Sequence, residues 1–238
     1  MTADLLYRWP NSAHFGRVVP KSKFYEHGKV TVAVRERFVA EVQRITWAYK
    51  LADSTIHLRG SDEVPEIQIF VLDAKEETIS DAVLTAIDTA VQFPIIFEIH
   101  SGADAGSRTR MTAAHKRLRN PKPKLTGYFT TGWMPADRQR APLPTALDLP
   151  GLYAALLGPL LPVEPRSGEC LADTAVRLEE LRKLESEVST LKRRLRTESQ
   201  FNRKVELRRA LRDRTAALEA LRSSERPNAD GSRLKEAR

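Results

Sequence analysis

The sequence of 238 residues predicts an α+β fold, a mostly antiparallel sheet with packed helices, followed by a long C-terminal helix or helical hairpin of coiled-coil type. Three observations predict it. Short β-branched runs follow one another across short loops between residues 95 and 131, which argues an antiparallel meander and not a doubly wound sheet. Amphipathic helical periods precede and interrupt them. Beyond Gly168, leucines recur at gaps of three and four with charges between, a heptad-like seam.

Taken in order, the chain opens with a Pro- and Lys-bearing lead, Val19-Pro20-Lys21-Ser22-Lys23. From Thr31 to Leu51, Val34, Phe38, Val42, Ile45 and Tyr49 fall on one face of a predicted amphipathic helix. Ser54 to Leu58 and Glu66 to Asp73 are β-branched runs bounded by Gly60 and Pro65. The second is apolar on both faces, as a central strand requires. Ser80-Asp81 can cap a helix lined by Val83, Leu84, Ile87 and Val91 that stops before Phe93-Pro94. Strands are then predicted at Ile95 to Ile99, Arg108 to Lys116 and Leu125 to Thr131, with Ser101 to Ser107 and Asn120 to Pro123 as turns.

From Pro121 to Pro165 the chain holds 9 of its 14 prolines, so long regular elements are excluded there. Leu147 to Leu161 is nevertheless too apolar to remain in water, and a short docked helix is expected from about Pro150. The seam of Leu178, Leu181, Leu184, Val188, Leu191 and Leu195 slips across Thr197 to Lys204 and resumes at Leu207, Leu211, Leu218 and Leu221. A stutter in one helix and a reversal into a hairpin both fit. The absence of Gly and Pro from the slip favours continuity. The expected organisation is a body over 1–134, a Pro-rich connection over 135–168, a helical arm over 169–225 and a disordered tail over 226–238.

Composition bounds the function classes. With 41% hydrophobic and 29% charged residues the chain is a folded, soluble type. The single cysteine, Cys170, excludes a disulfide scaffold or thiolate zinc cage and fits a reducing cytoplasm. The longest apolar run, Gly151 to Val163, is short and broken by proline, and the N-terminus lacks a signal pattern, so a cytoplasmic location without a membrane is expected. The formal charge of +8 is uneven. Residues 1–100 carry 11 basic and 14 acidic side chains, whereas residues 101–140 carry 9 basic and 2 acidic, and residues 166–238 carry 19 and 13. Two basic blocks beside a mildly acidic body point to polyanion contact.

Five ordered blocks resemble one bacterial family across nearly the whole chain: Val19-Pro-Lys-Ser-Lys-Phe-Tyr, Arg44-Ile-Thr-Trp-Ala-Tyr-Lys-Leu, Glu66-Ile-Gln-Ile-Phe, Ala86-Ile-Asp-Thr-Ala-Val-Gln-Phe-Pro-Ile-Ile-Phe-Glu, and Glu198-Ser-Gln-Phe-Asn-Arg-Lys-Val-Glu-Leu. The family is the domain of unknown function numbered forty-three ninety-one. The resemblance implies a setting beside helicases and site-specific DNA methyltransferases in restriction-modification or phage-defence loci, and it carries no catalytic residue set. The Gly- and Ala-rich loop after Ile99 departs from the pattern by its length.

Three chemistries are expected from the residues. The first is nucleic-acid binding through Arg108, Arg110, Lys116, Arg117, Arg119, Lys122 and Lys124, which stand without one acidic residue. A row of cations on one strand face suits phosphates, and Tyr128, Phe129 and Trp133 are candidates to stack on bases. The alternative for the same row is a solvated edge strand protected by cations. The second is assembly through the helix, by Leu181, Leu184, Val188, Leu191 and Leu195, with Phe201 and Val205 at the slip. A self-paired hairpin, a homodimer and a protein partner such as a helicase or methyltransferase are all open. The third is a Mg²⁺-dependent nuclease in which Glu41, Glu66, Asp73 and Lys75 hold the metal and stabilise developing charge. No cofactor is expected outside that alternative, and the five histidines show no metal-ligand spacing. Glu98-Ile-His100 puts two polar groups on one strand face but lacks the third partner a hydrolytic site needs. Cys170 has no evident activating neighbour.

Overall fold

A computed structural model describes residues 5–27, 30–102, 107–118, 124–161 and 169–223. The chain divides into two units, residues 1–164 and 165–238.

In the first unit, β1 (His14–Val18), α1 (Lys21–His27), α2 (Val32–Glu41), β2 (Val42–Leu51), α3 (Asp53–Ile56), β3 (Ile67–Ala74), α4 (Asp81–Ala90), β4 (Ile95–Ser101) and β5 (Arg108–Ala113) lead to short strands β6 (Lys116–Arg117), β7 (Lys124–Leu125), β8 (Phe129–Thr130) and β9 (Met134–Pro135), then α5 (Leu149–Leu157). The sheet runs β1-β2-β3-β4-β5-β8, and β9 also pairs with β5. Every pair in it is antiparallel except β3 with β4, which are joined by α4. The architecture is therefore α+β with a mostly antiparallel mixed sheet. α1, α2 and α4 cover one face, where Phe24, Phe38, Val83, Leu84 and Ile87 pack on Ile45, Phe70, Leu72, Phe97 and Ile99.

The helix expected over 31–51 is instead α2 followed by β2. Two register irregularities, between Val42 and Arg44 and between Trp47 and Tyr49, reset the strand's alternation. The fully buried positions become Val42, Ile45, Ala48 and Leu51, one every third residue, which imitates a helical period. Ser54 to Leu58 contains a helical turn, not a strand. The Thr55 hydroxyl accepts the N–H of Ala52 at 2.9 Å and donates to the carbonyl of Lys50 at 2.7 Å, so the side chain closes the turn.

The Pro-rich stretch up to Leu161 is part of this unit. Asp148 caps α5 by accepting the N–H of Gly151 at 2.8 Å, with Pro150 in the first turn. Leu149, Leu152, Tyr153, Leu156 and Leu157 are buried, and the Tyr153 hydroxyl donates to the carbonyl of Ala114 at 2.9 Å. Residues 162–168 and the tail over 226–238 lie outside the described residues.

The second unit is a helical hairpin of α6 (Leu171–Thr197) and α7 (Phe201–Ser223), not one continuous helix. The reversal needs neither Gly nor Pro, because Glu198 receives the N–H groups of Ser199 and Gln200, both at 2.9 Å, while its own N–H closes α6 on Arg194. Glu185 pairs with Arg222 at 2.5 Å and Glu187 with Arg214 at 3.1 Å, which sets the helices antiparallel. Leu181, Val188 and Leu218 are buried, and Leu184, Leu191, Leu195, Leu207 and Leu211 are half-buried. The seam thus pairs with itself. Phe201 and Val205 stay outside it, 75% and 49% exposed. Among the described residues no helix is long and apolar enough to cross a membrane.

Candidate functional site: a two-part cleft on the sheet and a cationic hairpin

Because side chains alternate across a strand, Arg44, Thr46 and Ala48 of β2, Val71 and Asp73 of β3, and Glu98 and His100 of β4 project to the face opposite the helices. The parallel register sets Asp73 directly beside His100. Asp73 Oδ1 lies 3.2 Å from His100 Nδ1, and Asp73 Oδ2 accepts from Arg44 Nε at 2.7 Å. On the other side, His100 Nε2 lies 3.8 Å from Glu98 Oε2. Glu98 is 2% exposed and is held by Arg140 at 2.8 and 3.0 Å and by the Trp9 indole N–H at 2.6 Å. The charges alternate along this line: Arg44, Asp73, His100, Glu98, Arg140.

The hydrogen bond to Asp73, then the Glu98 carboxylate 3.8 Å away, raise the His100 pKa to about 9, so the imidazole is a cation at neutral pH. A histidine with both ring nitrogens facing carboxylates is a fixed positive charge here, not a waiting base. The hydrogen bond from His100 holds Asp73 below the usual carboxylate range. Burial opposes ionisation of Glu98, but the His100 cation nearby and the bonds from Arg140 and Trp9 outweigh burial and keep it ionised. Asp73, on a strand 27 residues earlier, joins Glu98 and His100, which stand in the sequence only as a pair.

Two clefts open beside His100 and share it. The first, about 620 Å³, is lined by Gln43, Arg44, Asp73 and Lys75 among others. The second, about 410 Å³, is lined by Arg8, Trp9, Asn11, His14, Tyr49, Glu98 and Arg140 among others. Its aromatic wall is built by Tyr49, whose ring lies 5.5 Å from His14 and 6.2 Å from Trp9. Gly16, at φ +65°, forms an irregularity in β1 that lets the His14 ring lie against its backbone. A Cβ there would stand 2.6 Å from His14 Cε1.

The four residues expected to form a metal-dependent nuclease are not gathered. Asp73 and Lys75 line the first cleft, but Glu41 accepts the N–H of Ser80 at the start of α4, at 2.7 Å. Glu66 lies at the far end of β3, bound to Lys50 and Gln68, both at 2.6 Å. Lys75 donates to the carbonyl of Val39 at 2.7 Å and Lys21 to that of Val42 at 2.5 Å, so both lysines cap the end of α2. Among the described residues no group of three or more His, Cys, Asp or Glu side chains is placed to hold a metal ion.

The expected cationic row from Arg108 to Lys124 is also divided. Arg108 is half-exposed and bound to Glu77 at 3.0 Å. The Arg110 guanidinium lies 4.6 Å from the centre of the Trp133 ring. Lys116 is a core residue. Its ammonium meets Asp88 Oδ1 at 2.6 Å and donates to the carbonyls of Asp88, Val91 and Phe93, capping the end of α4. Tyr128 donates to Asp88 and Phe129 is 2% exposed, so neither presents a ring to bases. Arg117 and Lys124 sit in the β6–β7 hairpin, and Arg119 and Lys122 lie outside the described residues.

The hairpin carries a second cationic surface. Between Lys192 and Arg214 stand ten basic residues and three acidic ones, and every basic residue except Lys204 is exposed. Lys192, Arg193 and Arg196 line a groove of about 650 Å³ that Leu218 and Arg222 complete.

The family model described as domain of unknown function (DUF4391) matches residues 8–218. Comparison with curated proteins and with solved structures gave no match.

Proposed function

The chain belongs to the DUF4391 family, and on that premise we propose that it is a nucleic-acid-binding accessory protein of a bacterial restriction-modification or phage-defence system. The hairpin is its phosphate-contacting arm. The observation that supports this reading is the exposure of nine basic side chains between Lys192 and Arg214 on two helices whose apolar seam is already satisfied. A surface of that kind neutralises a spaced row of phosphates and releases their counterions, so binding weakens steeply with salt. A helicase or methyltransferase partner has Phe201 and Val205 available at the start of α7, outside the seam. The arm replaces the row at Arg108 to Lys124 as the main contact, since Lys116 is committed to the core and Arg108 and Arg110 to Glu77 and Trp133.

The test is retention of labelled duplex and single-stranded oligonucleotides over a salt series, with the wild type and with Arg193, Arg208 and Arg209 changed together to Glu. The expected result is salt-sensitive retention that the triple change weakens at least tenfold. Retention unchanged by the substitution, or no retention at low salt, overturns the reading.

A further inference from the structure

We propose that the two clefts joined at His100 form one binding site for a nucleoside monophosphate unit, with the phosphate against Arg44 and His100 and the base against Tyr49 and His14. The proposal deepens the nucleic-acid reading by adding a site on the sheet, separate from the arm.

An aromatic wall in one cleft beside an arginine engaged at only one nitrogen in the other carries it. Both volumes fall in the range of small-ligand sites, about 300–1,000 Å³. The first is cationic: Arg44 is 61% exposed at its side chain and is engaged by Asp73 only through Nε, which leaves the outer edge of the guanidinium toward solvent. A planar fork so placed suits two oxygens of a phosphate. His100, a third exposed, adds a second cation; its two ring nitrogens face Asp73 and Glu98, so it offers the phosphate charge and not a hydrogen bond. Lys75 adds a third charge among the lining residues. The second cleft has an aromatic wall of Trp9, His14 and Tyr49 and one amide, Asn11, able to bond a base edge, while its Arg140 is already paired with Glu98 and Arg8 stands at its lining. Tyr49 is half-buried and His14 exposed, so their rings are accessible from the cleft, and ring stacking tolerates any base. The two carboxylates do not repel the ligand's charge outright, because each is already paired with arginine. A phosphate alone fills only the cationic part and a nucleoside only the aromatic part.

The unit can be a free nucleotide or the end of a strand, and the test separates the sources. Full-length protein is titrated calorimetrically with dAMP, deoxyadenosine, inorganic phosphate, and a deoxyadenosine tetranucleotide with and without a 5′-phosphate. The expected result is that dAMP binds at least tenfold more tightly than deoxyadenosine or phosphate, and that Arg44→Gln and His14→Ala each weaken it several-fold with the thermal midpoint retained. Tighter binding of the phosphorylated tetranucleotide than of dAMP identifies a strand end, and the reverse identifies a free nucleotide. The triple Glu substitution on the hairpin is expected to leave dAMP binding unchanged. Binding of dAMP no tighter than phosphate, or unmoved by Arg44→Gln and His14→Ala, overturns the site, whatever the hairpin does with oligonucleotides. Oligonucleotide retention lost through the hairpin alone leaves the proposed function standing without it.

Discussion

Lys116 Nζ lies 2.6 Å from Asp88 Oδ1 with both side chains out of solvent, at 0% and 1% exposure. Burial presses the Asp88 pKa up and the Lys116 pKa down, and the contact between them pushes back in both cases. Three backbone carbonyls complete the shell of the ammonium, and the Tyr128 hydroxyl donates to the other carboxylate oxygen at 2.9 Å. Removing one partner strands a buried charge.

Lys116→Ala is therefore expected to destabilise the protein by about 3–5 kcal/mol. Urea denaturation checks this. A loss under about 1 kcal/mol would mean that Lys116 is the surface cation its sequence neighbours suggested.

The folded-state pKa of His100, about 9, stands above the ordinary 6.5. A raised histidine contributes stability that is full below its unfolded pKa and is lost as pH rises through the folded one. The groups facing it are Asp73 and Glu98, with Arg44 and Arg140 behind them. The thermal midpoint is expected to fall between pH 7 and pH 9.5, at roughly 2–4 °C per kcal/mol for a chain of this size. His100→Gln should flatten that part of the profile. A wild-type midpoint constant over the same interval would contradict the arrangement.

Gly16→Ala places a Cβ at φ +65° and 2.6 Å from the His14 ring. The left-handed backbone alone costs about 1–2 kcal/mol for a residue with a side chain. Calorimetry should show that loss together with weaker dAMP binding, since the ring that must move lines the aromatic cleft. Unimpaired dAMP binding would exclude His14 from the site.

Changing Arg193, Arg208 and Arg209 to Glu should lower the slope of log affinity against log salt, since each lost phosphate contact removes about 0.9 from it on duplex DNA. Arg108→Ala with Arg110→Ala should alter it by less than one contact. A slope governed by the Arg108 and Arg110 pair would return the interface to β5.

How far the sequence reveals this molecule depends on which spacings mean what they imitate. α4 was legible because Val83, Leu84 and Ile87 form an uninterrupted apolar face after Ser80 at the N-cap position, although the Ser80 hydroxyl makes no capping bond. β2 was not, because two bulges convert an alternation of two into a spacing of three. The cationic row misled at Lys116, whose burial depends on carbonyls at the end of α4, more than 20 residues away. The polar line on the sheet was half visible as Glu98-Ile-His100. Its remaining members, Trp9, Arg44, Asp73 and Arg140, come from four separate stretches that only the strand order brings together. The hairpin's reversal hides in a single glutamate, Glu198, which does the work usually given to glycine.

Glu98 also ties the two ends of the body to its middle, since Trp9 reaches it from 89 residues upstream and Arg140 from 42 downstream. As the chain leaves the ribosome, its most central strand carries an acid that has no complete shelter until residue 140 has emerged. A nascent chain halted before that point holds Glu98 with Trp9 and the His100 cation but without its two bonds from Arg140. The hairpin, whose apolar seam and cross-helix ion pairs lie within its own two helices, depends on no such distant residue.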